Sequence, residues 1–563
     1  MSRAFARFVL IFTALFFAVF FFWPLLQILK GGFISSDGKF TFSSLYALLK
    51  EPLYLKALLN SVIIASLTRL LALIIGLPLA YLSERFEFRG RKLLSSFILV
   101  PLILPAFVGA IGIRQLLGQT GTLNSLIIAL GLAPQSWSFD WLGANRILGV
   151  ALVDALSLYP LITLNAAASL SQIDPSSEEA AENLGCTGLR RFFRITLPLI
   201  KSGLFAGGTL VFIWSFTDLG TPLVFDFFNV TPVQIYQGLT DIGSSPYPYA
   251  LVAIMLTACL GLYSIGKGLF GNSPHVIASK SSARYTRKPL SPLTSWLTTL
   301  FFIAVTALAI LPHVSVVLIA FSKDWYHSVL PNQFTTDNFK TALSHSLATS
   351  SIANSLKYAS LSTFIDLCLG VAIAYVIVRS KIAGRKLLDL VSILPLAVPG
   401  LILAFGYLVM ARDGTFFSFL NPVRDPTLLL IIAYSIRRLP YVIRTAVAGF
   451  EHISESLEEA AMNLGSPPLR VIFKITLPLI SANLIAGAIL AFSFAMLEVS
   501  DSLILAQKQT FYPITKAIME LFQLLGDGKF IASALGSWAM LLVSLAIIGV
   551  SVLLGKKINS VLK

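Results

Sequence analysis

The segment Glu178 to Ile200, EEAAENLGCTGLRRFFRITLPLI, recurs 280 residues later at Glu458 to Ile480 as EEAAMNLGSPPLRVIFKITLPLI. Sixteen of its 23 positions are identical. A polar, amphipathic stretch carried twice means that the chain is built from two copies of one unit. The copies lie among apolar runs of about 20 residues, long enough to cross a ~30 Å hydrocarbon core. Lipid imposes no composition on a polar loop, so its repetition reflects another constraint, most simply a partner docked at each copy.

The apolar runs set the fold class. Hydrophobic residues make up 56% of the chain and charged ones 12%, whereas a soluble domain is about a quarter charged. The runs are continuous and do not alternate with period two, which excludes a β-barrel. The sequence predicts an all-α polytopic membrane protein with about twelve transmembrane helices, near 8–29, 60–82, 94–113, 147–168, 202–225, 248–266, 295–321, 354–378, 388–411, 427–447, 482–505 and 533–555. The first run, Phe8 to Leu29, is too long for a signal peptide and has no small-residue cleavage site after it, so it reads as a membrane helix. Cys186, Cys259 and Cys368 are an odd number, two of them inside apolar runs, and imply no disulfide framework.

The net charge of +15 is a topology signal. With the N-terminus inside, the inner segments hold 24 Lys and Arg and the outer ones 13, the remaining five lying within spans. By the positive-inside rule both repeated loops and both termini face the cytoplasm. No nucleic-acid partner is implied; the lipid membrane is.

The duplication reaches well beyond the loops. Asn60-Ser61 matches Asn354-Ser355, Ala80-Tyr81 matches Ala374-Tyr375, and Pro101 and Pro105 match Pro395 and Pro399, all at an offset of 294. From Pro160 and Pro440 onward the offset is 280, so the first half holds 14 extra residues, which fit the stretch Gly118 to Gly143. Six spans per half give both copies the same orientation, two parallel six-helix repeats. The sequence thus divides into 1–270 with a loop near 172–200, a flexible cytoplasmic linker at 271–291 rich in Ser, basic residues and Pro, and 292–563 with a loop near 452–480. The proline pairs 101/105 and 395/399 predict kinks in spans three and nine.

Each loop reads as short helix, turn, new span. Ser176 and Ser177 offer N-cap hydroxyls, and Glu178 and Glu179 suit the positive end of the turn that follows. Ala180, Ala181, Leu184 and Leu189 form a narrow apolar stripe. Gly185 and Gly465 fall where a helix ends. Leu197-Pro198 and Leu477-Pro478 then open spans five and eleven. The bland alternative is a helix resting on lipid headgroups, and Arg190, Arg191, Arg194 and Lys474 read as headgroup contacts.

Ionisable groups inside spans cost about 2.5–3.5 kcal/mol each on insertion scales, so they face a pathway or a partner. Asp218 and Glu498 occupy equivalent positions at the offset of 280, each about 16 residues into its span. Asp501 follows Glu498 at i+3, on nearly the same face. Asp154 falls in the outer half of span four, and Arg437 and Arg438 near the middle of span ten. Two readings stand open: these residues line a translocation path that attracts a hard cation, or Arg437 or Arg438 pairs with Glu498 or Asp501 and locks two helices together. Asp366 and Lys357 read as local pairs or snorkelling ends. The five histidines show no metal-ligand spacing, so no metal site is assigned.

The chain has no GxxxxGK[ST] phosphate loop, so it does not hydrolyse ATP by that route. An intramembrane enzyme would need HExxH, GxSxG or a similar constellation, and none is found. A secondary transporter driven by an ion gradient would explain the intramembrane acids, but not two copies of one docking loop.

The pattern Glu-Ala-Ala, three residues, Gly, nine residues, Ile, one residue, Leu-Pro resembles the signature loop of the permeases of bacterial ATP-binding-cassette importers. Glu179-Ala180-Ala181 with Gly185, Ile195 and Leu197-Pro198 fits it, and Glu459-Ala460-Ala461 with Gly465, Ile475 and Leu477-Pro478 fits it again. The fused layout, Thr217 to Leu223, and Arg438-Leu439-Pro440-Tyr441 with Arg444 are similar to the ferric-iron permease branch, whose relatives also handle thiamine, phosphonates or sugar phosphates. The resemblance implies a type I importer permease fold in the bacterial inner membrane. It implies coupling through Glu178, Glu179, Ala180, Ala181 and Gly185 and through Glu458, Glu459, Ala460, Ala461 and Gly465 to two copies of a cytoplasmic ATPase, which would carry the ATP and Mg, this chain holding no cofactor. An external binding protein would deliver the substrate, ferric iron first among the candidates.

Overall fold

A computed structural model describes residues 3–34, 39–103, 105–143, 146–242, 245–270 and 287–561. In chain order the principal helices are α1 (Phe5–Phe33), α2 (Pro52–Arg85), α3 (Ala106–Leu117), α4 (Ile147–Ser171), α5 (Pro175–Asn183), α6 (Lys201–Phe216), α7 (Tyr247–Phe270) and α8 (Pro292–Ala320). The second repeat continues with α9 (Ser346–Arg379), α10 (Gly400–Met410), α11 (Thr427–Glu451), α12 (Glu455–Asn463), α13 (Ser481–Met496) and α14 (Gly528–Val561). Helix is the form these sequences must take in lipid, where every backbone N–H and C=O needs an internal partner. Among the described residues seven helices are long and apolar enough to cross a membrane, and four bent pairs bring the number to 11. The helix α11, which carries Arg437, Arg438 and Arg444, corresponds to the remaining expected span.

The prolines of spans three and nine do more than kink them. Arg385–Ala397 meets α10 at 100°, and Arg91–Leu102 meets the Ala106–Ala129 stretch at 93°. Pro105 and Pro399 each stand in an extended conformation immediately before a new helix. Proline lacks an N–H to continue the ladder and pushes the preceding residue out of helical space, so two prolines four apart break the span.

Packing divides the chain into two compact units that do not coincide with the sequence halves. One comprises residues 49–234 and 257–336, the other residues 1–48, 235–256 and 337–563. The halves at 1–270 and 292–563 remain a repeat of sequence, but each opening span packs with residues of the other half.

In the unit of residues 49–234, α2 crosses α4 where Gly76 lies against the Tyr159 carbonyl, and Thr163 Oγ1 donates to the Gly76 carbonyl at 3.2 Å. Small residues let membrane helices approach closely. Leu79, Leu156, Tyr159, Ile162, Val211 and Phe302 form the core around this crossing. The helix α8 seats on α3, where Gly112 leaves room for the Pro312 carbonyl and Ser315 Oγ donates to the Gly112 carbonyl at 3.3 Å. Asn60 Nδ2 donates to the Asn229 carbonyl at 2.8 Å, and Ser61 Oγ accepts the Thr231 N–H at 2.9 Å.

The unit containing residues 337–563 repeats this plan. Asn354 Nδ2 donates to the Thr510 carbonyl at 2.9 Å and Ser355 Oγ accepts the Ile514 N–H at 2.7 Å, so the duplicated Asn-Ser pairs anchor the segments that follow the fifth and eleventh spans. Here α1 is the exchanged helix: Gly406 of α10 packs on Pro24, and Tyr407 Oη donates to the Phe20 carbonyl at 2.6 Å. Leucines and phenylalanines such as Phe8, Leu15, Leu361 and Phe364 stay exposed on the outer faces, where lipid is their solvent.

Of the expected linker, 271–286 lies outside the described residues. Its end is held in place. Lys288-Pro289 pairs in parallel with Phe86-Glu87, and Arg287 Nη2 reaches Glu84 at 3.1 Å. Ser291 then caps α8, accepting the Thr294 N–H.

Candidate functional site

The two repeated loops are built alike, from the backbone outward. The first helix, α5, is capped by Asp174, whose side chain accepts the Ser176 N–H at 3.0 Å, rather than by Ser176 or Ser177. That hydrogen bond from Ser176 holds the Asp174 carboxyl below its usual range. In the second loop Ser454 takes the same place, accepting the Ser456 N–H at 3.3 Å. In the first loop Pro175 makes the place legible: proline favours the first helical position, which puts the cap on the residue before it, Asp174.

Both helices end on a glycine in the left-handed region, Gly185 at φ +79° and Gly465 at φ +86°. The Cys186 N–H bonds back to the Ala181 carbonyl at 2.8 Å and the Gly185 N–H to Glu182 at 2.9 Å, with Ser466 to Ala461 and Gly465 to Met462 repeating the pair. This six-to-one and five-to-two closure is the Schellman arrangement, and a residue with a Cβ is strained at its left-handed position.

The two glutamates of each motif part company. Glu178 is buried. Arg85 Nε, at the end of α2, lies 3.2 Å from its carboxylate, and Thr196 Oγ1 donates to it at 2.9 Å. Glu458 is buried in the same way, 3.4 Å from Arg379 Nε at the end of α9, with Thr476 Oγ1 at 3.3 Å. Each loop is thus latched to the second helix of its own repeat. Glu179 and Glu459 face outward. The expected apolar stripe divides as well: Ala181 is buried and Ala461 half-buried, while Ala180, Ala460 and the leucines are uncovered. Leu184 is 87% and Leu464 89% exposed, with Leu189 and Leu469 beside them.

Arg191 is buried and pairs with Glu182, so it makes no headgroup contact, whereas Arg190, Arg194 and Lys474 are exposed. The Lys288 ammonium, at 2.9 Å, and the Arg191 guanidinium hold the Glu182 carboxyl below its usual range. Met462 and Val471 stand at these places in the second loop, which lacks the pairing. The Leu-Pro pairs close the loop stretch and do not open the spans. Gly188–Leu199 meets α6 at 71° and Pro468–Leu479 meets α13 at 75°, each after a wide π-turn that accommodates the hydrogen bond proline cannot make.

Asp218 and Glu498 sit at corresponding breaks in the fifth and eleventh spans, each just before a short helix, Gly220–Val224 and Ser500–Leu505. Asp218 accepts the Gly220 and Thr221 N–H groups at 3.2 and 3.1 Å. A carboxylate at such a helix start meets free N–H groups. Their side-chain partners differ. Arg437 Nη1 lies 2.6 Å from Glu498 and 3.1 Å from Asp501, and Arg438 pairs with Glu498 while donating to the Phe494 carbonyl at 3.2 Å. Two arginines and two carboxylates therefore form one buried, balanced cluster between α11 and the Ser500–Leu505 break. Gly400 makes room for it, since a Cβ there would meet the Arg437 guanidinium.

In the other unit Asp218 meets Asp154. Thr221 bridges them, its N–H on Asp218 and its Oγ1 3.4 Å from Asp154, and Ser215 Oγ donates to Asp154 at 2.6 Å. Among the described residues no Lys or Arg pairs with either acid. Asp366 is not a local pair: it is buried and accepts from Ser435 Oγ of α11 at 2.5 Å, while Lys357 is exposed. No group of three His, Cys, Asp or Glu able to hold a metal occurs among the described residues.

The latch partners Arg85, Arg379, Thr196 and Thr476 escaped the sequence reading. Their signal was present, since Arg85 and Arg379 share the offset of 294 and the two threonines the offset of 280.

The model of the binding-protein-dependent transport system inner membrane component family matches residues 72–271 and again residues 366–558. The chain belongs to this family. It is a multi-pass inner-membrane permease with two copies of the family's domain in one polypeptide. The ferric transport system permease protein FbpB of Actinobacillus pleuropneumoniae is 26% identical over 501 residues, 87% of this permease and 69% of that protein. A putative ferric transport system permease protein FbpB 1 of Haemophilus influenzae is 26% identical over 505 residues, 87% of this permease and 77% of that protein. Among solved structures, a bacterial ABC transporter involved in the import of the acidic polysaccharide alginate matches 47% of this permease and 96% of that chain, at 17% identity and a TM-score of 0.35.

Proposed function

We propose that this permease forms the membrane path of an ATP-driven ferric-iron importer, with two cytoplasmic ATP-binding-cassette ATPase subunits seated on its two loops and an external binding protein delivering the iron. Both termini and both loops face the cytoplasm in this reading. ATP and Mg belong to the ATPase. The observation that carries the coupling is the duplicated latch: a buried Glu–Arg–Thr set fixes one side of each loop helix, and Glu179, Ala180 and Leu184, or Glu459, Ala460 and Leu464, stand uncovered on the other. Iron as cargo is supported by the two ferric permeases that align over 87% of the chain.

Within the path, Asp218 with Asp154 is the acidic station for a cation, because Glu498 and Asp501 are already matched by Arg437 and Arg438. Replacing Glu179 and Glu459 together by Arg is expected to leave the amount of membrane-inserted protein unchanged and to abolish copurification of the ATPase, since both are exposed and neither belongs to a latch. Either single change should weaken copurification less. Undiminished copurification in the double variant would refute the docking role of the loops.

A further inference from the structure

Beside the second loop stretch, within the unit that holds residues 337–563, lies a cavity of about 540 Å³. Cys368 and Val371 of α9, Leu469 and Phe473 of the loop stretch, and Leu484 and Ala488 of α13 line it. Its only side-chain oxygens come from Tyr375 and Ser481. Tyr375 is one turn from Arg379, so the cavity adjoins the latch that holds Glu458. Its size is that of pockets that bury a small ligand, and its lining calls for an apolar one.

The rim supplies the rest of the chemistry. Arg470 and Lys474 are exposed. Each follows a lining residue directly, Leu469 and Phe473, and the two are four apart, so both basic groups stand one step round the helix from the cavity, along one edge. Apolar chain inside and positive charge at the loop end is the complement of one class of molecule. We propose that this cavity binds an acyl chain of an anionic phospholipid, with the headgroup phosphate on Arg470 and Lys474. A basic pocket between membrane helices on the loop side is the form such sites take.

The test uses the full-length permease in nanodiscs, phosphatidylglycerol against phosphatidylcholine, with native mass spectrometry of the lipid retained after detergent exchange and maleimide labelling of Cys368, an exposed thiol in the wall. Cys186 is first replaced by Ala. Phosphatidylglycerol is expected to be retained and to slow Cys368 labelling, and phosphatidylcholine to do neither. Arg470→Gln with Lys474→Gln should reduce phosphatidylglycerol retention roughly 25-fold, two basic contacts at about fivefold each. Ala488→Phe, which fills the cavity, should abolish phosphatidylglycerol retention with the rim charges intact. Equal protection by both lipids, protection by inorganic phosphate alone, or unchanged retention in the charge variant would overturn the proposal. So would undiminished phosphatidylglycerol retention in the filled variant.

Discussion

Glu498→Gln is expected to remove most of the folded permease from the membrane, and Asp218→Asn, at the equivalent position of the other repeat, to leave its amount nearly unchanged. Glu498 balances two guanidiniums in a buried cluster, and its loss leaves Arg437 with Asp501 and Arg438 with the Phe494 carbonyl. Stripping a buried charge of its partner costs about 3–5 kcal/mol, a large part of a typical folding free energy. Asp218 accepts the Gly220 and Thr221 N–H groups on its two different oxygens, so the amide of Asn keeps one of these bonds and loses the other, about 1 kcal/mol, with no buried cation left unpaired. The cluster's balance supplies an internal control. Arg438→Met combined with Glu498→Gln leaves Arg437 facing Asp501 at 3.1 Å, one charge against one. This double variant should regain most of the protein lost by Glu498→Gln alone, measured in the membrane fraction and by monodisperse elution. If Glu498→Gln folds normally, the cluster is not what holds the break in the eleventh span.

The second large effect concerns the latches. Glu178→Ala removes the carboxylate 3.2 Å from the buried Arg85, at a cost of about 3–5 kcal/mol, and should free the first loop from α2. Glu458→Ala should free the second loop from α9 in the same way, with Arg379 keeping the Ile453 carbonyl at 2.8 Å and Glu455 at 3.7 Å. ATPase copurification should therefore fall with either change, and furthest with both. Arg85→Met with Glu178→Met replaces the pair by apolar groups of similar size, a change that is often neutral, and should restore the seat of the loop. Undiminished copurification in the double variant, or no rescue by the methionine pair, would show that the buried ion pairs do not hold the loops.

Much of this was legible in the residues. The spans could be read because lipid accepts only apolar helices, and the loops because a polar segment had been copied at a fixed offset. Even the distinction between Glu178 and Glu179 was within reach, since Arg85 and Arg379 recur at the offset of the second spans. What stayed hidden depended on distant packing. Nothing local in Phe8 to Leu29 says that it covers α10 of the other repeat, because an apolar helix face fits any apolar partner and the choice lies in Gly406 meeting Pro24. The proline pairs announced irregularity but not its size: a kink and a right-angle break share one local cause, the missing N–H. The balanced cluster was one of two open readings. Arg437 and Arg438 at mid-span could stand open to a path or pair with an acid, and only the fold brings Arg437 within 2.6 Å of Glu498.

The central claim is that the two loops couple this permease to an ATPase that drives ferric iron through it. The direct measurement is ATP-dependent accumulation of radiolabelled ferric iron in proteoliposomes holding the permease, its ATPase and its binding protein. Accumulation is expected with the native loops and is expected to vanish with Glu179→Arg and Glu459→Arg, at equal amounts of inserted permease. An assembled complex that hydrolyses ATP in response to its binding protein, yet moves thiamine or a phosphonate and leaves ferric iron outside, would contradict the account.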